Sequence, residues 1–349
     1  MKKINIFIFS IIVLLFTSCE KAFMNKNESS DPLSVFDYLW DRIDQQYVYF
    51  DVKGVDWDSV RTVYRAKVYE GMSDDSLFRV CAAMINTLCD GHTNLKSDFD
   101  RSTCELVYYT MTAESNYNDN LIKLHYLGAN GHKTGGISHA SLRGGKVAYL
   151  RYYSFMDEIT PENLIYLTDL YKDCDGMILD LRQNGGGSGY YVTQLLSIFD
   201  CHQQPIYSTQ TKAGPKHGEF TTLRPVHAPA KSILEKPYTK PVAVLIDRGS
   251  FSATSFFSVA TQAFDNVKLF GDKSGGGLGA PNGGLLPNGW AYRFSITRTI
   301  ALDGGNYENG VPPEVRVLLD PAAVAQGKDN IIETAADWIE NGTPVIAKR

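Results

Sequence analysis

Apolar residues along this chain follow two rhythms. From Ser34 onward Val35, Leu39, Ile43 and Tyr47 recur at helical spacing with charges between them, which predicts an amphipathic helix. A second helix is expected over about 57–69 behind Asp56 as its cap, and a third from Asp74 or Asp75 through Leu77, Val80, Met84 and Leu88. Three such helices make a small bundle. It ends at Leu88-Cys89-Asp90-Gly91-His92-Thr93, where Gly91 marks the helix end and leaves His92 on a loop, free to point into a cleft.

Beyond residue 146 the rhythm changes to short continuous apolar runs. Residues 147–153, 177–181, 242–246 and 267–271 predict buried strands, and 161–171, 189–199 and 253–263 predict helices between them. This alternation builds a parallel sheet with crossover helices. Residues 290–297 and 315–319 add two more strands, and about 330–340 a closing helix.

Two stretches carry weaker patterns. Within 94–145, a β-rich connecting segment, residues 106–111 and 121–127 predict strands joined as a hairpin by the polar loop 114–119. The glycine-rich part that follows holds His132 and His139. With His125 they fall at seven-residue gaps without a carboxylate pattern, which is not metal-ligand spacing, and they are expected to be solvated. Residues 202–238 read as a long polar excursion.

The N-terminus changes the setting. Two lysines, an apolar run over 4–16 and small residues before Cys19 predict a signal peptide over 1–18, too short to span a membrane. Phe16-Thr17-Ser18-Cys19 resembles a bacterial lipobox, which implies lipidation at Cys19, a membrane anchor there, and a polar tether over 19–32. The expected location is the bacterial cell envelope. Loss of Lys2 and Lys3 takes the formal charge from -5 to -7; no basic block remains, which argues against nucleic acid as a partner. Of six cysteines, Cys19 leaves five, an odd number without CxxC spacing, so neither a disulfide framework nor a zinc site is indicated. Cys81 and Cys89 are expected in the helical core.

The candidate chemistry starts at residues 241–257. A buried strand breaks at Asp247-Arg248-Gly249-Ser250 and gives way to a helix of small residues, so Ser252 stands beside unpaired N–H groups that favour an oxyanion. The competing assignment is an ordinary helix cap, with Ser250, Ser255 and Ser258 crowding the same segment. Arg182-Gln183-Asn184-Gly185-Gly186-Gly187-Ser188 also sits where a strand turns into a helix, and its glycines let backbone N–H groups approach a bound group. It lacks the Walker lysine and the GxGxxG spacing of nucleotide loops. A third loop, from Asp303 to Pro313, carries Glu308.

The LCDGHT around His92, the LDLRQNGGG at 179–187, the VLIDRGSFSATS around Ser252 and the YENGVPPEV around Glu308 occur in this order. Together they resemble the C-terminal processing and tricorn-type serine peptidases, family S41, over about 34–341. The resemblance implies an α/β fold with a ClpP/crotonase-like central sheet and crossover helices over 146–349, preceded by a small N-terminal helical bundle over 33–93. It implies a polypeptide substrate, no metal and no cofactor. In the processing branch a lysine partners the serine; here Gly277 occupies the matching place, and Lys273 is out of register. The tricorn-like branch uses histidine and glutamate, and His92, Ser252 and Glu308 match its positions. Serine is a poor nucleophile at neutral pH, so His92 would act as general base and Glu308 would orient it. The N–H groups of Gly186 and Ala253 would form the oxyanion hole. The roughly fifty residues between Thr93 and Lys146 are too few for the PDZ domain many relatives carry. The alternative function is an inactive S41-like binder of a hydrophobic, peptide or glycan ligand, in a cleft lined by Phe256, Phe257 and Trp290.

Overall fold

The computed structural model describes residues 29–342 apart from residues 103, 105–115 and 129–130. The expected signal peptide, Cys19, most of the tether and the strand expected at 106–111 lie outside the described residues.

Four helices open the described chain: α1 (Pro32–Gln46), α2 (Phe50–Lys53), α3 (Trp57–Arg65) and α4 (Asp74–Asn86). Local chemistry sets their starts. Asp31 Oδ1 accepts from the N–H groups of Leu33 and Ser34 at 3.0 and 3.1 Å, Asp56 caps α3 and Ser73 caps α4. The stripe Val35, Phe36, Leu39, Trp40 and Ile43 of α1 is buried and joins Leu77, Phe78, Cys81 and Met84 of α4 in one core. That core is completed from far along the chain by Leu286, Trp290 and Phe294.

The strands in chain order are β1 (Asn94–Lys96), β2 (His132–Thr134), β3 (Ile137–Leu142), β4 (Val147–Tyr152), β5 (Gly176–Asp180), β6 (Pro205–Gln210), β7 (Arg224–His227), β8 (Val242–Ile246), β9 (Val267–Gly271), β10 (Pro281–Leu285), β11 (Ala291–Ser295), β12 (Arg298–Ile300) and β13 (Val315–Arg316). Seven form the central sheet in the order β13-β9-β8-β5-β4-β3-β2. The run from β13 to β4 is parallel, and β3 and β2 are antiparallel. Two small antiparallel sheets, β1-β11-β10 and β12-β6-β7, flank it.

Strand β8 shows why continuous apolar runs were required. Val242, Val244 and Ile246 face one core, while Ala243 and Leu245 face the other. Both faces of a parallel strand are covered, so alternation with polar residues disappears. Each fully buried large aliphatic side chain contributes roughly 1.5–3 kcal/mol. The first core is closed by the helices α5 (Pro161–Leu170), α6 (Gly189–Leu196) and α7 (Ala253–Ala260), the second by α8 (Asn330–Asn341).

The middle of the chain departs from expectation. Residues 121–127 are helical rather than a strand: a turn at Asp119–Leu121 runs into a wider helix at Ile122–Leu127. Asn118 caps it, and Leu121, Ile122 and Tyr126 lie on one buried face against Tyr149, while Leu124 is exposed. The stretch taken as polar and glycine-rich folds into β2 and β3. His139 is buried there, its Nδ1 2.7 Å from the Tyr171 hydroxyl and its Nε2 2.9 Å from Thr134 Oγ1, so it is not solvated. The excursion at 202–238 holds β6 and β7.

Candidate active site

The turn after β8 is built by side chains that bond back to the backbone. Asp247 Oδ1 accepts from the N–H groups of Gln183 and Gly249 at 2.8 and 2.9 Å. Ser250 Oγ donates to the Leu181 carbonyl at 2.8 Å and accepts from Asp247 N at 3.0 Å. The chain is gripped again where Phe251 N donates to Asn184 O and Ser252 N to Gly276 O. Between these clamps Ser252 sits at φ 56°, ψ -117°. A side-chain-bearing residue there is strained by about 1–3 kcal/mol and persists only because its surroundings impose it.

Ser252 precedes the first residue of α7 but makes no capping bond. Its Oγ lies 2.9 Å from His92 Nε2. The neighbouring serines are all committed elsewhere: Ser250 as described, Ser255 to Ser274 Oγ, and Ser258 to Thr254 O. Of the four, Ser252 alone faces an imidazole.

His92 arrives from the helical part. The residue that reverses the chain after α4 is Cys89, at φ 44°, rather than Gly91. Cys89 is therefore half-buried on the turn, not in the core with Cys81. Asp90 Oδ1 then accepts from His92 N at 2.7 Å, while Oδ2 accepts from Ser295 Oγ at 2.8 Å. Arg293 Nε donates to the His92 carbonyl at 3.2 Å. The ring is buried and lies 5.0 Å from that of Phe251. Burial lowers its pKa below the ordinary value, with the Asp90 charge opposing. A neutral imidazole facing a hydroxyl is equipped to accept its proton.

Glu308 is buried, with the Asp90 carboxylate near it. Its Oε2 accepts from Leu278 N at 2.7 Å, and its Oε1 is 3.7 Å from Lys53 Nζ. Lys53 also donates to Cys89 O at 3.1 Å and Asn309 Oδ1 at 2.7 Å. Burial first, and then the nearby Asp90 carboxylate, raise the Glu308 pKa to about 8, with Lys53 opposing. His92 Nδ1 has no partner at hydrogen-bond geometry among the described residues, and the Gly279 backbone adjoins both His92 and Glu308. The structure thus brings Ser252 and His92 into direct contact, whereas the contacts of Glu308 run to Leu278 N, Lys53 and the Gly279 backbone rather than to the His92 ring. Asp90 was legible only as a neighbour of His92. Lys53, on a four-residue helix, carried no sequence signal.

Gly186 has φ 95°, and a Cβ there would stand 2.8 Å from Ala253 N and 2.9 Å from Ser252 Cβ. Only glycine permits this approach. Its own N–H donates to Asn184 Oδ1 at 3.0 Å. At Gly277 a Cβ would stand 2.4 Å from the Phe251 ring, so a lysine side chain does not fit there. Phe256, Phe257 and Trp290 do not share a cleft: Phe257 is buried under α7 with Phe256 packed against the same core, and Trp290 belongs to the helical one.

A parallel strand thus delivers a strained serine onto a buried imidazole, an arrangement suited to serine-hydrolase chemistry. The family model described as peptidase family S41 matches residues 146–317, and that of the tricorn protease C1 domain matches residues 30–86. A crystallised candidate peptidase from Parabacteroides merdae is 33% identical, superposes with a TM-score of 0.83, and is matched over 89% of this chain and 97% of its own. The carboxy-terminal processing protease CtpB of Bacillus subtilis is 26% identical over 211 residues, 56% of this chain and 41% of that protein. The chain spans about two fifths of the length of the curated relatives it matches. Mature CPAF shares the fold at a TM-score of 0.64 and 14% identity, over 90% of this chain and 98% of its own. The chain belongs to peptidase family S41, the serine peptidases its four motifs resemble.

Proposed function

We propose that this chain is a serine endopeptidase of the bacterial envelope that cleaves polypeptides through an acyl-enzyme on Ser252. The observation carrying this reading is the 2.9 Å contact between His92 Nε2 and Ser252 Oγ, with the serine strained at a helix start. His92, held neutral by burial, takes the hydroxyl proton as Oγ attacks the scissile carbonyl. It returns that proton to the leaving amine, and water repeats the sequence to release the acyl group.

The oxyanion is received by the Ala253 N–H and by Gly186 N–H, which exchanges Asn184 Oδ1 for the substrate oxygen. Such donors account for roughly 3 kcal/mol of barrier lowering each. Glu308 is assigned the role of orienting His92; with its pKa raised to about 8 it keeps its proton at neutral pH and acts there as a neutral hydrogen-bonding group rather than as a counter-charge. The Cys19 lipobox supports a lipid anchor on the envelope; a shift of the Cys19→Ala protein from the membrane to the soluble fraction tests it.

A fluorophosphonate probe tests the chemistry. It should label Ser252 in the parent protein, and fail with both Ser252→Ala and His92→Ala. Casein or a peptide library should be cleaved by the parent alone. Full labelling of His92→Ala would remove the assigned base.

A further inference from the structure

Two thiols meet beside the His92 loop. Cys104 Sγ lies 3.3 Å from Cys89 Sγ. Local chemistry brings the chain back to this point. Ser102 N donates to Leu95 O and Ser102 Oγ accepts from Leu95 N, while Ser97 N donates to Asp100 O. This tight reversal returns the chain from β1 towards the end of α4. Cys104 is buried and Cys89 is half-buried.

The other described cysteines are placed differently. Cys81 is enclosed in the helical core and burial pushes its thiol up to about 12. Cys174 and Cys201 donate to the carbonyls of Gly145 and Leu196; Cys89 Sγ likewise donates to the Asn86 carbonyl at 3.6 Å, but it also has the Cys104 sulfur beside it.

We infer that Cys89 and Cys104 form a disulfide that clasps both ends of the loop carrying His92. The oxidant is a disulfide-bearing donor, a dithiol oxidase or a small-molecule disulfide. The Cys89 thiolate, on the accessible side, attacks the donor disulfide and expels one donor thiolate. The Cys104 thiolate then attacks the Cys89 sulfur and expels the second. Two protein thiols lose two electrons and two protons, and the donor becomes two thiols. No other atom has to be supplied. The ring so closed holds His92 three residues after Cys89, whose carbonyl already accepts from Lys53.

The bond does not rest on the peptidase reading. The test uses the full chain, reduced and then equilibrated with glutathione disulfide, followed by alkylation and peptide mass mapping. Two thiols should escape alkylation, in a cross-linked pair of peptides containing Cys89 and Cys104. Reductant should then lower the thermal midpoint by roughly 5–10 °C, as a ring of this size implies. The Cys89→Ser/Cys104→Ser variant should not respond to reductant. Alkylation of both cysteines after oxidation, or glutathione persisting on Cys89, would overturn the bond. A mapped bond that leaves the midpoint unmoved would overturn its role as a clasp. Mapping reads the bond whether or not the protein hydrolyses anything, so a failure of the peptidase reading would be seen separately.

Discussion

Two buried carboxylates of this molecule, Asp180 and Glu308, titrate in opposite directions. At the carboxyl end of β5, Asp180 and Asp329 flank Arg182, whose guanidinium reaches them at 2.6 and 2.8 Å with no side-chain exposure on any of the three. Burial alone would raise Asp180, but Arg182 and Arg151 outweigh it and hold the carboxyl below its usual range. Near Ser252, Glu308 has the Asp90 carboxylate close by and the Lys53 ammonium at 3.7 Å, and there burial and the Asp90 charge outweigh the ammonium and raise the Glu308 carboxyl. Equal burial therefore does not mean equal chemistry. A planar, bidentate cation makes a framework charge, whereas two acids with one distant ammonium leave a proton that can be moved.

The largest effect that would break this comparison is Arg182→Met. It strands two buried carboxylates, and should cost about 3–5 kcal/mol in denaturant unfolding. A loss under about 1 kcal/mol would show that the Asp180 group is not structural.

Glu308→Gln comes next, and its effect has a sign that depends on pH. The folded pKa of about 8 lies above the ordinary 4.5, so the folded state binds the proton more tightly. That contribution is fully present below about pH 4.5 and is lost as pH rises through 8. Against Glu308→Gln the parent should therefore lose up to about 1.4 kcal/mol per pH unit across this window. Parallel stability curves for the two proteins would mean that the acid titrates normally.

The pH–rate profile sharpens the same point without a change of sequence. kcat/KM should rise with pH to half its plateau below 6.5, because burial lowers His92. A second inflection near pH 8 should vanish in Glu308→Gln. The smallest effect is that of Lys53→Met. It should move the upper inflection higher and cost about 1 kcal/mol through the donor lost to Cys89 O and Asn309. An unmoved inflection would detach Lys53 from Glu308.

The parts legible in the sequence were those with a local cause. β8 and β9 were readable to the residue, because strands covered on both faces must be continuously apolar and their ends fall at polar turns. Helix starts at Asp56 and near Ser73 were readable because a side-chain oxygen meets nearby N–H groups. The helix at 121–127 and the strands β2, β3, β6 and β7 were not, because their burial is set by partners distant in the chain.

For the site, the sequence by itself determined that a serine would stand at a strand-to-helix turn, and that glycines would crowd a second such turn. Motif position singled out Ser252, but local chemistry alone did not separate it from Ser250, Ser255 and Ser258. Tertiary structure sets it apart from them by placing Ser252 against a ring 160 residues earlier. It also decided which acids are poised and which are paired, since charge states in a buried pocket depend on what through-space packing brings within a few ångströms. No local pattern encodes the meeting of Lys53 with Glu308 or of Cys89 with Cys104, because each contact exists only once the helical core has closed onto the strands.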